Sequence, residues 1–224
     1  MNSIKGTKRE TSLPLPPEPQ PIDPFFACEH NFCRLYSDPI RALNEIHWAP
    51  LKIVQMAVKF LAPRPGIKIL DIGSGPGKFC IAGAYYQPTA SFTGVEQRQY
   101  LVDEATQATE KLGGLPVSFI CRNFTQLDFG KFDAFFFYNS FFENLPGTQK
   151  IDESLAYSKE LYDYYTYYLS RKFTTLPEGT RIVTYCSWDD EIPQGYKLEE
   201  THMDGLLKFW IKANTFDHVQ TSHT

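Results

Sequence analysis

The pattern of apolar and polar positions predicts alternating strands and helices over residues 67–187. Short apolar runs typical of buried parallel strands lie at residues 67–72, 91–95, 117–121, 132–137 and 181–187. Helical segments separate them, at residues 77–86, 100–112 and 153–173. Two later runs, 196–200 and 206–211, predict an antiparallel pair. This order predicts an α/β fold: a doubly wound, seven-stranded, mostly parallel sheet with an antiparallel last strand.

The chain before residue 67 divides into two parts of different composition. Six of the sixteen prolines lie in the first 24 residues, which predicts a flexible, proline-rich arm at 1–24. Apolar residues then recur at helical spacing from Leu51 to Leu61, behind a proline that favours a helix start. We therefore expect an N-terminal helical cap at 25–64 and the α/β domain at 65–224.

Composition and charge narrow the class of protein. The 224 residues are 42% hydrophobic, which is enough for a sizeable core. No apolar run approaches the roughly 18 residues of a transmembrane helix, and the N-terminus lacks the pattern of a secretory signal. The net charge of -4 argues against a broad nucleic-acid-binding face. We expect a cytoplasmic protein without a membrane partner, and nucleic acid is disfavoured as a partner.

The cysteines suggest a metal site only at first sight. Cys28, His30 and Cys33 lie close together in the sequence. A closed zinc site needs four ligands, and no second pair of cysteines or histidines follows at a useful spacing. An odd count of five cysteines without a secretion signal is typical of reduced thiols. We therefore predict no metal.

A glycine-rich turn follows the first predicted strand, where residues 71–77 read Asp-Ile-Gly-Ser-Gly-Pro-Gly. Glycines let the backbone adopt positive φ angles and approach a ligand closely, and the helix that follows offers free amide donors. The spacing Gly-x-Gly-x-Gly differs from the Gly-x-Gly-x-x-Gly of dinucleotide-binding proteins. A nicotinamide-dependent oxidoreductase is therefore disfavoured.

This turn resembles the first motif of the class I, Rossmann-like, S-adenosylmethionine-dependent methyltransferases, in which an acidic residue stands two positions before the glycines. In that family the turn holds the methionine part of the cofactor. An acidic residue after the second strand binds both ribose hydroxyls, which suit a carboxylate, and a polar residue after the third strand reads the adenine. The resemblance implies S-adenosyl-L-methionine as cofactor and the contacts Asp71, Gly73, Ser74, Gly75, Gly77, Glu96, Asn123 and Phe124.

The segment after the fourth strand faces the transferred methyl group in this fold. It contains neither an Asn-Pro-Pro-Tyr run nor the Pro-Cys nucleophile of cytosine methylation. Its sequence Tyr138-Asn139-Ser140-Phe141 loosely resembles the corresponding segment of Dot1-like protein lysine methyltransferases. The resemblance implies that Asn139 orients the acceptor amine and that Phe141 lines its channel. We take Asn139 and Tyr138 as the candidate catalytic residues.

The acceptor and the activity remain open at this point. We expect a methyltransferase acting on a nitrogen or oxygen nucleophile, with a protein lysine as one acceptor and a small metabolite as the alternative. A non-catalytic module that binds the cofactor is a third reading. His47 precedes the predicted cap helix and is a further catalytic candidate, although a lone histidine is more often structural.

Overall fold

The computed structural model describes residues 23–213. The predicted arm at 1–24 lies outside the described residues, apart from its last two positions. The α-helices of these residues are α1 Glu29–Cys33, α2 Asp38–Arg41, α3 Asn44–His47, α4 Leu51–Leu61, α5 Lys78–Tyr86, α6 Gln99–Glu110 and α7 Lys159–Thr174. The strands are β1 Lys68–Ile72, β2 Ser91–Glu96, β3 Val117–Cys121, β4 Ala134–Tyr138, β5 Arg181–Tyr185, β6 Tyr196–His202 and β7 Leu207–Lys212.

The strands form one seven-stranded sheet in the order β3-β2-β1-β4-β5-β7-β6. The first five strands run parallel, and β7 runs antiparallel to both β5 and β6. The strand order reverses between β1 and β4, so these neighbours open a crevice at their carboxyl ends. The predicted doubly wound sheet with its antiparallel last strand is confirmed, and every predicted strand lies within two residues of its observed bounds.

The core occupies both faces of this sheet. Phe135 and Phe137 of β4 pack on one face against Phe173 of α7, whereas Phe136 points to the opposite face and stacks on Phe79 of α5 at 3.7 Å. All three β4 phenylalanines are at most 1% exposed. A central parallel strand covered on both sides needs apolar residues at every position, which explains its continuous apolar run.

Helix α7 begins later than the sequence predicts, at Lys159 rather than at residue 153. Asp152 Oδ1 accepts hydrogen bonds from the backbone and hydroxyl of Ser154 at 2.7 and 2.6 Å. Such a local turn competes with helix formation. Ser158 then caps the helix by accepting from the Leu161 backbone N–H at 3.2 Å. Residues 152–157 are therefore free to form part of the crevice wall.

Among residues 23–213, no helix has the combination of length and apolar character that crossing a membrane requires.

Candidate active site

The turn between β1 and α5 is built on three glycines with positive φ angles. Gly73, Gly75 and Gly77 have φ of 74°, 51° and 81°. A side chain at Gly73 would also come within 2.5 Å of Ser140 Cβ, in the segment after β4. The backbone N–H groups of Gly73 and Ser74 donate to the Val95 carbonyl at 2.9 and 3.0 Å. These contacts draw the ends of β1, β2 and β4 together around one point.

Ser74, predicted as a cofactor contact, lies on the far side of this turn. Its hydroxyl sits where a Cβ on Gly94 of β2 would be, 2.6 Å from that position. Its Oγ is buried and has no hydrogen-bond partner among the described residues. Gly94 thus allows the turn to approach β2 closely, as glycine inside a strand often does. The cofactor contact of Ser74 stays a prediction.

Glu96 ends β2 at the base of the crevice and is only 6% exposed. Its Oε1 accepts from the backbone N–H groups of Gln97 and Arg98 at 2.9 and 3.0 Å. Its Oε2 accepts from the Gly75 N–H at 3.2 Å. Because a carboxylate oxygen accepts two hydrogen bonds, Oε2 keeps capacity for a ligand hydroxyl. The predicted ribose-binding acid therefore stands beside the glycine turn, oriented by the backbone.

Asp71 lies behind the turn, 4% exposed, and accepts a long hydrogen bond from Cys80 Sγ at 3.7 Å. Burial raises the pKa of Asp71 to about 8, the Cys80 hydrogen bond opposes this shift and the charge of Glu96 adds to it. A buried carboxyl without a cationic partner gains from keeping its proton. Asp71 is therefore largely protonated near neutral pH in the ligand-free protein, and its cofactor contact stays a prediction.

Asn123 and Phe124 follow β3, and the structure gives them different surroundings. Asn123 Nδ2 donates to the Tyr165 hydroxyl at 2.8 Å, and its Oδ1 accepts from the Thr125 N–H at 3.0 Å. Phe124 is 5% exposed, lines the crevice and stacks on Phe141 at 5.1 Å. The amide predicted to read adenine is thus committed to protein contacts. Its contact with adenine remains a prediction.

The segment after β4 places Asn139 in the crevice. Asn139 has a φ of 47°, which asparagine tolerates better than most residues. The next residue, Ser140, donates from Oγ to the Ile72 carbonyl at 2.5 Å and so fixes this bend to β1. Asn139 Oδ1 is buried and has no hydrogen-bond partner within residues 23–213. Burial of Tyr138 raises its pKa to about 12, so its hydroxyl stays protonated at neutral pH.

The N-terminal helices contribute a wall of the crevice that includes His47. Glu29 joins these helices to the glycine turn: its Oε1 accepts from the Leu51 N–H at the start of α4, and its Oε2 binds Lys78 Nζ, each at 2.5 Å. Lys78 Nζ also donates to Asn44 Oδ1 at 3.0 Å. Burial lowers the pKa of His47, with the charge of Glu143 opposing the shift. His47 is therefore a neutral imidazole at neutral pH.

Together these elements enclose a cavity of about 360 Å³, within the usual range for small-molecule sites. Eight of the predicted residues line it, namely His47, Gly73, Gly75, Glu96, Phe124, Tyr138, Asn139 and Phe141. Four other predicted contacts are not among the residues that line it, namely Asp71, Ser74, Gly77 and Asn123. Sequence reasoning missed several lining residues, namely Arg98, Arg122, Glu143, Ile151 and Tyr157. A carboxylate beside glycine amides in such a cavity fits an adenosyl ligand that carries a ribose.

The central part of this chain is similar to a known protein family. Residues 69–157 match the family described as methyltransferase domain. The chain is 44% identical over 54 residues to a tRNA (guanine-N(7)-)-methyltransferase of Microcystis aeruginosa, covering 24% of this chain and 26% of the relative. It is 46% identical over 54 residues to the enzyme of that name from Synechococcus sp., covering 24% and 23%. The chain thus spans about a quarter of the length of these curated relatives.

Solved structures share the fold at low sequence identity. The RNA methyltransferase from Salinibacter ruber, in complex with S-adenosyl-L-homocysteine, is 18% identical with a TM-score of 0.52, covering 75% of this chain and 94% of that chain. The magnesium protoporphyrin IX methyltransferase from Synechocystis is 17% identical with a TM-score of 0.53, covering 81% and 89%. TrmN from Thermus thermophilus is 18% identical with a TM-score of 0.52, covering 73% and 48%.

The solved structures confirm the class I methyltransferase fold, and the family match over residues 69–157 agrees with the predicted methyltransferase domain. The family match names neither a Dot1-like subfamily nor a methyl acceptor, so both stay predictions. The comparisons also assign no role to any single residue, so the predicted residue roles are argued from the contacts within this chain.

Proposed function

We propose that this chain transfers a methyl group from S-adenosylmethionine to a nitrogen nucleophile that Asn139 orients. The supporting observation is that Asn139 lines the cavity and that its buried Oδ1, a hydrogen-bond acceptor, has no partner among the described residues. A buried polar atom without a partner costs about 1–3 kcal/mol unless a ligand or water satisfies it. An acceptor N–H is a suitable donor, and this bond would fix the nitrogen beside the transferred methyl group.

The base that lines the cavity favours nitrogen over oxygen as the nucleophile. Bound S-adenosylmethionine supplies an electrophilic methyl group. A nitrogen needs only a free lone pair to attack it, so an ammonium must first lose one proton. Neutral His47 lines the same cavity and is the candidate proton acceptor. A hydroxyl nucleophile is a weaker acid and needs a stronger base than an imidazole.

For the acceptor class, a protein lysine is the first candidate. The segment Tyr138-Asn139-Ser140-Phe141 resembles that of Dot1-like lysine methyltransferases, and Phe141 is packed between Phe124 and Phe137 beside Asn139. Aromatic walls suit the aliphatic stem of a lysine side chain.

An RNA base is the second candidate, and the partial match to two tRNA (guanine-N(7)-)-methyltransferases favours it. Arg122 lines the cavity and offers a cation at its wall for a phosphate. A ring nitrogen such as a guanine N7 also carries its lone pair without losing a proton.

Two measurements test this proposal. Titration calorimetry with S-adenosylmethionine, S-adenosylhomocysteine and NAD examines the cofactor site, and we expect heat with the two adenosyl ligands only. Incubation with tritiated S-adenosylmethionine and a cell lysate, followed by separation of protein, RNA and small molecules, then identifies the acceptor class.

Each outcome of the labelling has a defined meaning. Label in protein supports the lysine acceptor, and label in RNA supports the base. Label in small molecules alone would replace both with a metabolite. Tight binding of S-adenosylhomocysteine without transfer to any fraction would indicate a non-catalytic module. Asn139→Gly is the matched control, since the proposal requires it to lose label while it still binds the cofactor product.

A further inference from the structure

Arg98 is a buried arginine two residues beyond the ribose-binding acid, and none of the roles described above uses its charge. It caps the start of α6 and is only 5% exposed. Its Nη2 lies 2.9 Å from both carboxylate oxygens of Glu143. Its Nε lies 3.2 Å from Asp152 Oδ2, and its Nη1 lies 3.4 Å from Glu96 Oε1. One guanidinium thus contacts the neighbouring Glu96 and two carboxylates that lie 45 and 54 residues further along the chain.

Apart from Glu96, these partners of Arg98 belong to the segment between β4 and α7. We call residues 143–157 the wall segment, because Ile151, Leu155 and Tyr157 within it line the cavity. Arg98 Nη2 donates to the Tyr157 hydroxyl at 2.7 Å, and that hydroxyl donates to the Asp152 carbonyl at 2.7 Å. Both ends of the wall segment are therefore fastened to the same side chain.

Further hydrogen bonds close the wall segment on itself. Glu143 Oε1 accepts from the Ile151 backbone N–H at 2.5 Å. From α6, the Tyr100 hydroxyl donates to Asp152 Oδ2 at 2.5 Å. Few buried apolar residues lie in this stretch, since residues 146–156 are exposed or half-buried. Polar contacts thus hold much of the wall segment in place, and those of Arg98 tie Glu143, Asp152 and Tyr157 to the end of β2.

The charge balance makes Arg98 hard to replace. Burial opposes its charge, but the carboxylates of Glu143 and Glu96 raise its pKa above the usual value. Glu96, Glu143 and Asp152 are 6%, 15% and 26% exposed at their side chains. Without the guanidinium these three negative charges would face one another in a partly dry site, and such repulsion would drive the segment outward.

We propose that Arg98 is a positioning residue for the cofactor, which holds the wall segment against Glu96 so that the cavity is formed before the ligand arrives. A preformed wall removes the ordering entropy from the binding step. The effect of Arg98 on cofactor binding rests on the proposed function, whereas the contact between Arg98 and the wall segment does not.

Two variants test the proposal, Arg98→Gln and Arg98→Lys. Hydrogen exchange is followed by mass spectrometry in peptides of the wall segment, and S-adenosylhomocysteine affinity by calorimetry. In Arg98→Gln we expect exchange in the wall segment to rise about tenfold and affinity to fall about tenfold, with exchange in β1 and β4 unchanged. Arg98→Lys keeps the charge but loses the forked guanidinium that reaches several carboxylates. Its wall-segment exchange and its affinity for S-adenosylhomocysteine should therefore lie between those of wild type and Arg98→Gln.

Arg171→Gln is the matched control, because Arg171 lies exposed on α7 away from the cavity. Affinity of Arg98→Gln equal to that of this control would overturn the proposal, even if wall exchange rises, because Arg98 would then be structural only. Wall exchange equal to the control would overturn it as well. If Arg98→Gln does not fold, Arg98→Lys gives the same comparison. Failure of the wild-type chain to bind S-adenosylhomocysteine would instead count against the proposed function.

Discussion

The two sides of the crevice are built by different means. On the predicted cofactor side, which comprises the glycine turn and Glu96, backbone contacts fix the structure, such as the Gly75 N–H that donates to Glu96 Oε2 at 3.2 Å. On the predicted acceptor side, side chains fix the bend at Asn139 and the wall segment that follows it. Arg98 ties this segment back to the predicted cofactor side through Glu143 and Tyr157, which lie 45 and 59 residues away. Backbone geometry leaves a glycine signature in the sequence, whereas a side-chain network does not. The cofactor side is therefore the part that a sequence reveals.

The largest expected effect comes from Gly73→Ala, because Gly73 joins the two sides. The added methyl group would lie 2.5 Å from Ser140 Cβ, and the alanine would have to adopt a φ of 74°. We expect a loss of about 3 kcal/mol in the free energy of unfolding, measured in urea, and little binding of S-adenosylhomocysteine.

The control for this change is Gly66→Ala, which has a similar φ of 82° but open space around the added methyl. It reports the backbone strain alone, about 1 kcal/mol. Equal losses in the two variants would show that the contact between Gly73 and Ser140 does not join the two sides.

The next effect is a pH dependence that belongs to the cofactor side. The pKa of Asp71 is raised to about 8 in the folded protein by burial, from an unfolded value of 3.8. Its contribution to stability is therefore complete below that unfolded value and is lost as the pH rises through the folded value. Between the two, we expect the ligand-free protein to lose up to about 1.4 kcal/mol per pH unit relative to Asp71→Asn.

Urea unfolding of both proteins at several values between about pH 5 and pH 8 measures this difference. Asp163→Asn, an exposed residue of α7, controls for the general loss of a carboxylate. Parallel stability curves for wild type and Asp71→Asn would contradict the protonated state of Asp71.

On the acceptor side, Asn139→Gly tests the orientation of the nucleophile. Glycine accepts the φ of 47° without strain, so the variant removes the amide and leaves the backbone. We expect turnover to fall about 100-fold, while the melting temperature and the affinity for S-adenosylhomocysteine change little. Steady-state kinetics and calorimetry on the same sample check this. A plain structural role predicts lower stability with normal turnover, and that result would remove Asn139 from the site.

The sequence predicted most of the sheet because its strands carry strong local signals. In β4 the three phenylalanines point to both faces, so burial on both sides appears directly as an apolar run. The predicted start of α7 at residue 153 was wrong, because a local turn forms between Asp152 and Ser154 and the helix begins only after its cap at Ser158. Spacing along a chain cannot show which local hydrogen bond prevails.

The candidate site was predictable only where the backbone forms it. Gly73, Gly75 and Glu96 line the cavity as the motif implied. Arg98 and Glu143 were missed because their pairing depends on tertiary proximity across 45 residues. Gly94 did carry a usable signal, since a glycine between Thr93 and Val95 inside a strand indicates a close backbone approach, here by Ser74.

The smallest expected effect is that of Glu96→Gln, and it tests how strongly the backbone sets the cofactor side. The carbonyl of glutamine can take the place of Oε1, which accepts from the Gln97 and Arg98 N–H groups at 2.9 and 3.0 Å. Only the oxygen that faces Gly75 and the cavity is lost, and its replacement is a donor. We therefore expect affinity for S-adenosylhomocysteine to fall about tenfold, with the fold intact.

An analogue of S-adenosylhomocysteine without the ribose 2′ and 3′ hydroxyls gives the matched control for Glu96→Gln. If Glu96 Oε2 binds the ribose, the analogue binds wild type weakly and Glu96→Gln about equally weakly, because the missing contact can be lost only once. If Glu96→Gln instead lowers the affinity about tenfold for both ligands, the two effects are independent. Glu96 would then act only through the glycine turn. Since Oε2 already accepts from the Gly75 N–H at 3.2 Å, such a result would make Glu96 a support of the glycine turn rather than a ligand contact.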